Sequence, residues 1–141
     1  MHKLYYPLFF AIAFSLHSAL PQGITNGLAA EKNGTQIPPL QYGIASFYHN
    51  KFEGRQTSNG EVFTQKKLTA ASNTLPLNSW AKVTNLSNGR SVVVRITDRM
   101  HPKNMRIIDL SRAAASKLAY IGKGLTRVRV ESLGRRNPNR S

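Results

Sequence analysis

The chain has 141 residues, with 20 lysines and arginines against 6 aspartates and glutamates, 40% hydrophobic residues and no cysteine. This length suits one domain of about 100–150 residues and excludes a catalytic domain joined to a separate cofactor-binding domain. Zero cysteine excludes disulfides, thiolate metal sites, a cysteine nucleophile and lipid attachment to a thiol. The net charge of +14 points to an anionic partner.

The first 20 residues predict a secretory signal peptide. Lys3 belongs to a short basic start, residues 4–20 are almost wholly apolar, and Ser18 and Ala19 supply small residues for cleavage. A retained membrane anchor is the alternative, because about 17 apolar residues approach the length that spans a bilayer. We expect export to the periplasm or cell envelope, with no stable membrane anchor after cleavage.

Export changes the interpretation of the basic charge. In a cytosolic chain this charge would suggest nucleic acid, because lysine and arginine neutralise phosphates whatever the sequence. Outside the inner membrane nucleic acid is scarce, so no nucleic-acid partner is expected. Residues 42–133 hold 15 basic and 5 acidic residues, which indicates either a solvated surface that keeps the protein soluble or attraction to an anionic cell envelope.

Composition divides the remaining chain into three parts. Residues 21–40 mix proline and glycine with polar residues and predict a flexible linker. Residues 134–141 predict a basic, disordered tail that is too polar to pack. The folded domain is therefore expected over residues 41–133, where a chain of this size must form a single compact core.

Short β-type segments alternate with turns along this domain. Alternating or continuous apolar residues predict five strands, at 43–48, 68–71, 80–85, 91–96 and 126–132. The third and fourth are joined across Asn88 and Gly89, a pair that tolerates positive φ and predicts a hairpin turn. The three consecutive valines at 92–94 favour a strand that is buried on both faces.

One helix is predicted before the last strand. Residues 113–115 are alanines, which are strong helix formers, and Leu110 and Leu118 lie at helical spacing from the central one. Asp109 or Ser111 can cap its N-terminus, and we interpret Asp109 as the cap. A lone helix among short strands favours a small closed barrel over an open sheet with unprotected edges. The fold class is therefore mostly β.

Five carboxylates of this domain are candidates for chemistry. Glu53 and Glu131 are interpreted as surface charges, and the two histidines lack the spacing of metal ligands, so no metal and no cofactor are expected. Asp98 ends the valine-rich strand, which would place it at a barrel rim, either as a functional acid or as an ion-paired strand end. Glu61 follows a polar turn that would present it either to a ligand or to water.

Three blocks of sequence combine these features: GIASFYHNKFEGRQTSNGEVFTQKKLTAASNTLP, then VTNLSNGRSVVVRITDR, then RIIDLSRAAASKL. Their content, order and spacing resemble the rare lipoprotein A (RlpA) family of bacterial envelope proteins over about residues 42–133. The resemblance implies a six-stranded double-psi β-barrel with one short helix, related to the barrels of expansins.

The resemblance also implies an activity. Active family members are endolytic lytic transglycosylases, which cut the β-1,4 bond between N-acetylmuramic acid (MurNAc) and N-acetylglucosamine (GlcNAc) and leave 1,6-anhydro-MurNAc ends. They prefer glycan strands stripped of peptides. The implied roles are cell-wall remodelling and daughter-cell separation, with peptidoglycan glycan strands as the substrate and divisome proteins as candidate partners.

Two catalytic residues follow from the matched blocks. Asp98 falls on the aspartate of the family's R-I-x-D-R block and is expected to protonate the glycosidic oxygen, then to take the proton of the sugar's own C6 hydroxyl. Glu61 falls on the glutamate of the N-G-E block and is expected to assist by charge or hydrogen bonding. An acid that works near neutral pH needs a raised pKa, and a Glu61 carboxylate close to Asp98 would raise it.

The resemblance and side-chain chemistry together predict the substrate-binding residues, which are Ser46, Tyr48, Asn59 and Ser72. Ser72 replaces the histidine of the family block T-A-A-H, so it cannot carry the charge of an imidazolium, and His101 is hypothesised to replace that ring in part. This departure keeps two alternatives open: a catalytically inactive glycan-binding or septal scaffold protein, and a basic envelope protein that binds anionic polymer.

Overall fold

The structure, a computed structural model, describes residues 39–141. The predicted signal peptide and nearly all of the predicted linker lie outside the described residues. Within 39–141 the elements are β1 (Leu40–Phe47), a 3-10 helix (Asn50–Phe52), β2 (Thr69–Ala71), β3 (Trp80–Asn85), β4 (Ser91–Asp98), β5 (Ile108–Leu110), α1 (Arg112–Lys117) and β6 (Thr126–Gly134). No helix of this described part has the length and apolar character needed to span a bilayer.

The six strands close into a barrel in the order β1-β5-β2-β4-β3-β6. The pairs β1/β5 and β2/β4 are parallel, and the other four pairs are antiparallel. Closure leaves no unpaired sheet edge, which removes the need to protect one. The predicted mostly β, six-stranded barrel with one short helix is confirmed.

The barrel interior is filled by the inward residues of the long strands. In β3 burial alternates residue by residue, and Val83 is wholly buried. In β4 Val92 and Val94 are buried while Val93, opposite Lys82 in β3, is only half-buried. The prediction that residues 92–94 are buried on both faces is therefore wrong. A barrel this small has one apolar interior, and the outer face of β4 stays partly open to solvent.

The region before α1 differs from the sequence prediction. Ile108 and Leu110 are wholly buried in β5, a strand that the pattern did not predict, so Leu110 is not part of the helix. The N-cap is Ser111, whose hydroxyl accepts a hydrogen bond from the backbone N–H of Ala114 at 3.3 Å. The assignment of Asp109 as the cap is therefore wrong, because Asp109 is the middle residue of β5.

A long loop connects β1 to β2 and folds across one end of the barrel. It turns back on itself: the backbone N–H of Phe63 donates to the carbonyl of Arg55 at 2.7 Å, and that of Gly54 donates to the carbonyl of Phe63 at 2.9 Å. Phe63 is buried under this turn. The loop thereby brings polar groups from residues 48–61 to the end of β4.

Candidate active site

Asp98 is the last residue of β4, and four hydrogen bonds hold its carboxylate. Oδ1 accepts from the backbone N–H of Ser58 (3.0 Å), the hydroxyl of Ser58 (2.7 Å) and the backbone N–H of Arg99 (2.9 Å). Oδ2 accepts from the hydroxyl of Tyr48 at 2.8 Å. The donors Tyr48 and Ser58 are 50 and 40 residues away in sequence, so the fold alone assembles this arrangement.

A β-bulge directs Asp98 out of the barrel. Ala70 of β2 pairs with Ile96 of β4, but the next residue, Ala71, pairs with Asp98, so β4 carries one extra residue at Thr97. With strict alternation, Asp98 would face the interior as Ile96 does, because side chains repeat every second residue. The bulge turns it to the outer face instead.

The outward residues form a row across four neighbouring strands. Ser46 of β1 pairs with Asp109 of β5, Asp109 pairs with Ala71 of β2, and Ala71 pairs with Asp98 of β4. The methyl group of Ala71 leaves room between the two carboxylates. The short β2 and β5 thus bring two acidic side chains to one surface.

A cleft of about 510 Å³ opens over this row. Among the residues that line it are Ser46, Tyr48, Ala71, Asp98, Arg106 and Asp109. A smaller cleft of about 190 Å³ adjoins it, and three residues, Tyr48, Phe52 and Asp98, line both clefts. The Asp98 carboxylate therefore lies where the two clefts meet.

The pKa of Asp98 is below its usual value. Burial is the largest influence and raises this pKa, but hydrogen bonds from Ser58, Tyr48 and the backbone of Arg99 favour the charged form and outweigh burial. The rise expected from a neighbouring Glu61 is therefore not found. At neutral pH Asp98 is a carboxylate.

Neither neighbouring arginine pairs with Asp98 among the described residues. Arg95 binds Glu61, with Nη2 2.6 Å from Oε2. Arg99 points away and donates to the backbone carbonyl of Leu75 at 2.7 Å and to that of Ser72. Both guanidinium groups are occupied elsewhere, so within residues 39–141 Asp98 has hydrogen-bond donors but no counter-ion.

Tyr48 and Ser46, two of the predicted substrate-binding residues, line the larger cleft together with Asp98. The ring of Tyr48 packs against Phe63 at 4.3 Å and Phe52 at 5.7 Å between centroids. Burial, the hydrogen bond to Asp98 and the negative charge of that carboxylate raise the pKa of Tyr48 well above its usual value. Its hydroxyl stays protonated and acts as a donor.

Asn59 and Glu61 are not among the residues that line either cleft. The side-chain oxygen of Asn59 accepts from the Thr57 hydroxyl at 2.6 Å and from the backbone N–H of Glu61 at 3.2 Å. The backbone N–H of Asn59 donates to the carbonyl of Thr97 at 3.1 Å, and Glu61 anchors the same turn through Arg95. These residues hold the turn that presents Ser58 to Asp98.

Ser72 is buried, with 1% of its surface exposed, and is not among the cleft-lining residues. Its hydroxyl accepts from the backbone N–H groups of Thr74 (3.2 Å) and Leu75 (3.3 Å), which stabilises the turn after β2. His101 does line the larger cleft, and its Nδ1 accepts from the backbone N–H of Lys103 at 3.2 Å.

Sequence reasoning missed Ser58 and Asp109. Nothing local marks Ser58, because its bonds to Asp98 depend on the folded loop. Asp109 had a signal: the Ile108-Asp109-Leu110 triplet alternates apolar, polar, apolar, as a half-exposed strand does. Within residues 39–141 no three potential histidine or carboxylate ligands form a cluster that could hold a metal ion.

The fold and the cleft define a double-psi β-barrel protein that has two carboxylates, Asp98 and Asp109, in one surface cleft. The structure is similar to that of an expansin from Clavibacter michiganensis, with a TM-score of 0.57 and 18% identity over 72% of this chain and 52% of the expansin. A likeness at this identity shows the fold alone.

Sequence comparison identifies the family. Residues 41–130 match the family described as lytic transglycolase, and the chain belongs to this family. It is 51% identical over 94 residues to the endolytic peptidoglycan transglycosylase RlpA of Haemophilus influenzae (67% of this chain, 33% of the relative). It is 57% identical over 89 residues to the protein of that name from Pasteurella multocida (63% of this chain, 30% of the relative). The chain thus spans about a third of the length of these relatives, and the predicted resemblance to RlpA is confirmed.

Proposed function

We propose that this chain carries the catalytic domain of an endolytic peptidoglycan lytic transglycosylase. It cleaves the MurNAc-GlcNAc β-1,4 bond of glycan strands, preferably those stripped of peptides, and leaves 1,6-anhydro-MurNAc ends. The observation that carries the proposal is the fixed Asp98 carboxylate at the junction of two clefts, in a domain of the lytic transglycolase family. The printed names of relatives at 51% and 57% identity support the substrate class.

The reaction needs one group that cycles a proton. Protonated Asp98 gives its proton to the glycosidic oxygen as the bond from that oxygen to C1 of MurNAc breaks. The C6 hydroxyl oxygen of the same sugar bonds to C1, and its proton returns to Asp98. Because the attacking oxygen belongs to the substrate, no water is consumed and a single carboxyl group serves as acid and then as base.

In this proposal, glycan binding raises the pKa of Asp98 and so favours its protonated form. Burial already exerts the largest single influence on its pKa, in the upward direction. A sugar chain lying across both clefts removes more water from the carboxylate, and this raises the pKa further because the charged form loses solvation. Asp98 is therefore a carboxylate in the free protein and becomes an acid in the complex.

The remaining predicted residues have supporting roles in this proposal. Ser46 and Tyr48 contact the glycan from the cleft wall, where a hydroxyl group suits sugar hydrogen bonds and an aromatic ring suits the apolar face of a sugar. Glu61 and Asn59 act as positioning residues through the turn that holds Ser58. The buried Ser72 supports the turn after β2.

The cellular setting follows from the same proposal. An enzyme that cuts peptidoglycan works in the periplasm or cell envelope, so the protein is exported through its N-terminal signal peptide. Its role is cell-wall remodelling and daughter-cell separation, in company with divisome proteins. The excess of positive charge favours encounter with an anionic envelope.

A second candidate function is a glycan-binding protein without catalysis. The lowered pKa of Asp98 supports it, because a carboxylate that stays charged when glycan binds cannot protonate the leaving oxygen. Both candidates predict binding of peptide-free glycan, and only the first predicts new anhydro ends.

The test is incubation of the purified protein with peptide-free glycan strands, followed by mass spectrometry for 1,6-anhydro-MurNAc ends. We expect products from the wild type and a loss of about 10²–10⁴-fold in Asp98→Asn, the usual contribution of an acid-base group. Glu131→Gln is the matched control, because it removes a carboxylate that pairs with Arg129 on β6, and it should retain full activity. Glycan binding without products from the wild type would establish the second candidate instead.

A further inference from the structure

The larger cleft contains a second carboxylate that the proposed proton transfer does not use. Asp109 and Asp98 are both register partners of Ala71, one in antiparallel β5 and one in parallel β4. Strands lie about 4.8 Å apart, so roughly 10 Å separates the two Cα atoms. Both side chains line the same cleft, and a sugar ring that lies over Ala71 therefore has a carboxylate on each side.

Asp109 is fixed differently from Asp98. Arg106 binds both of its oxygens, with Nε 2.8 Å from Oδ1 and Nη2 3.1 Å from Oδ2, and the Ser46 hydroxyl donates to Oδ1 at 3.0 Å. The hydrogen bond to Asp109 raises the pKa of Arg106, so this partner remains positively charged. The side chain of Asp109 keeps 17% of its surface exposed at the cleft. It is an oriented anion with a permanent counter-ion.

This contrast divides the chemistry between the two carboxylates. Asp98 has neutral donors and, in the part of the chain that the structure describes, no counter-ion, so removal of water on glycan binding can bring a proton onto it. One guanidinium, that of Arg106, binds both oxygens of Asp109, so the negative charge of Asp109 has a fixed counter-ion. One carboxyl group is suited to exchange a proton, and the other is suited to keep a constant negative charge.

We propose that Asp109 is a second catalytic carboxylate, which contacts the sugar and stabilises the positive charge that develops at C1 as the glycosidic bond breaks. The inference rests on the proposed function. Glycosidic cleavage passes through an oxocarbenium-like transition state, and a charge that is oriented beforehand stabilises it without reorganisation. Asp109 gains and loses no proton, so the proton balance through Asp98 is unchanged. Arg106 and Ser46 are positioning residues for it.

The test compares Asp109→Asn with the wild type in the anhydro-end assay, at saturating and at limiting glycan. Loss of one oriented electrostatic group typically costs about 10²–10³-fold in kcat, and we expect that loss with KM within a few-fold. Asp109→Glu keeps the charge and should recover part of kcat. Arg106→Gln removes the ion pair that orients the Asp109 carboxylate but leaves the charge of Asp109, so it should lower kcat less than Asp109→Asn does.

Two further readouts separate catalysis from a structural role. Removing a negative charge near Asp98 lowers the pKa of Asp98 in the complex, so the alkaline decline of kcat should move to lower pH in Asp109→Asn. The thermal midpoint should stay close to that of the Glu131→Gln control.

The outcomes are distinguishable from those of the proposed function. Retention of wild-type kcat in Asp109→Asn would overturn this inference while leaving the proposed function intact. A loss of kcat that follows a loss of thermal stability or of glycan binding, with an unchanged pH profile, would also overturn it. Absence of anhydro ends from the wild type would overturn both.

Discussion

The four long strands of the barrel and its two short strands differ in what they contribute. β1, β3, β4 and β6 have six to nine residues each and supply eight of the sixteen buried residues of the core. β2 and β5 have three residues each, yet they hold Ala71 and Asp109 in the centre of the cleft. The long strands supply half of the core, and the short strands determine which polar groups meet on the surface.

The difference has a geometric cause. A three-residue strand is too short to fix its own register, which is set by the strands on either side. β5 lies between β1 and β2, and β2 lies between β5 and β4, so both are fixed by barrel closure. Small changes in these two strands therefore reach the carboxylates directly, whereas changes in β3 or β6 act mainly on stability.

The largest expected effect comes from truncating the core beneath β5. Leu110 is wholly buried, and Leu110→Ala should lower the free energy of unfolding by about 2–5 kcal/mol, because the truncation leaves a cavity. Val130→Ala is the control in a long strand, β6, and should lower the free energy of unfolding by about 2 kcal/mol. Urea unfolding measures both.

Turnover at a temperature where both variants are fully folded then tests the comparison. Leu110 directly follows Asp109, so Leu110→Ala should lower the rate of anhydro-end formation more than Val130→Ala does. Equal turnover in the two folded variants would show that the short strands have no special link to the site.

An intermediate effect is expected at the contact between β1 and the start of β5. A Cβ at Gly43 would lie 2.6 Å from Cγ2 of Ile107, so Gly43→Ala forces Ile107 to move. Overpacking of this kind costs about 1–3 kcal/mol, and thermal melting should show a corresponding decrease. Gly122→Ala is the control, because nothing lies within 4 Å of a Cβ there. Equal melting temperatures would mean that the β1/β5 junction adapts freely.

The same division explains how much could be predicted from sequence. Alternating apolar residues predict β3 as it is observed, at 80–85, and β6 to within two residues. β5 is not predicted because its apolar-polar-apolar alternation extends over only three residues, and Leu110 also fits the helical spacing of the alanines that follow. For that reason Asp109 was assigned to a cap that Ser111 provides.

The site itself depends on features that no local pattern contains. Asp98 was placed at a barrel rim from its position after an apolar run, but its direction depends on the bulge at Thr97, and that bulge is defined by pairing with β2. The hydrogen bonds from Ser58 to Asp98 join residues that are 40 positions apart in sequence, so they form only in the folded protein. The family resemblance singles out Asp98 and Glu61 as candidates. Only the structure shows that Asp98 lines the cleft, whereas Glu61 binds Arg95 and anchors a turn.

The smallest expected effect is a pH dependence of stability that originates at Asp98. The pKa of Asp98 in the folded protein is lowered, so the ionised carboxylate contributes stability that is present above its unfolded pKa and is lost as pH falls through the folded value. The thermal midpoint of the wild type should therefore exceed that of Asp98→Asn by a constant amount near neutral pH. The difference should shrink at pH values below the usual aspartate range. The effect is small because the carboxylate is partly open to solvent.

Ser58→Ala tests the origin of this stability without any substrate. It removes the side-chain hydrogen bond that contributes most to lowering the pKa of Asp98, so the folded pKa moves closer to the unfolded one. The acid-induced decrease in stability should therefore be smaller than in the wild type and should end at higher pH. Ser87→Ala, in the turn between β3 and β4, is a matched loss of one hydroxyl and should leave the size of the decrease unchanged. A decrease of wild-type size in Ser58→Ala would mean that the loop from β1 to β2 does not hold the carboxylate in solution. In that case the β-bulge that β4 forms against β2 would alone determine where Asp98 points.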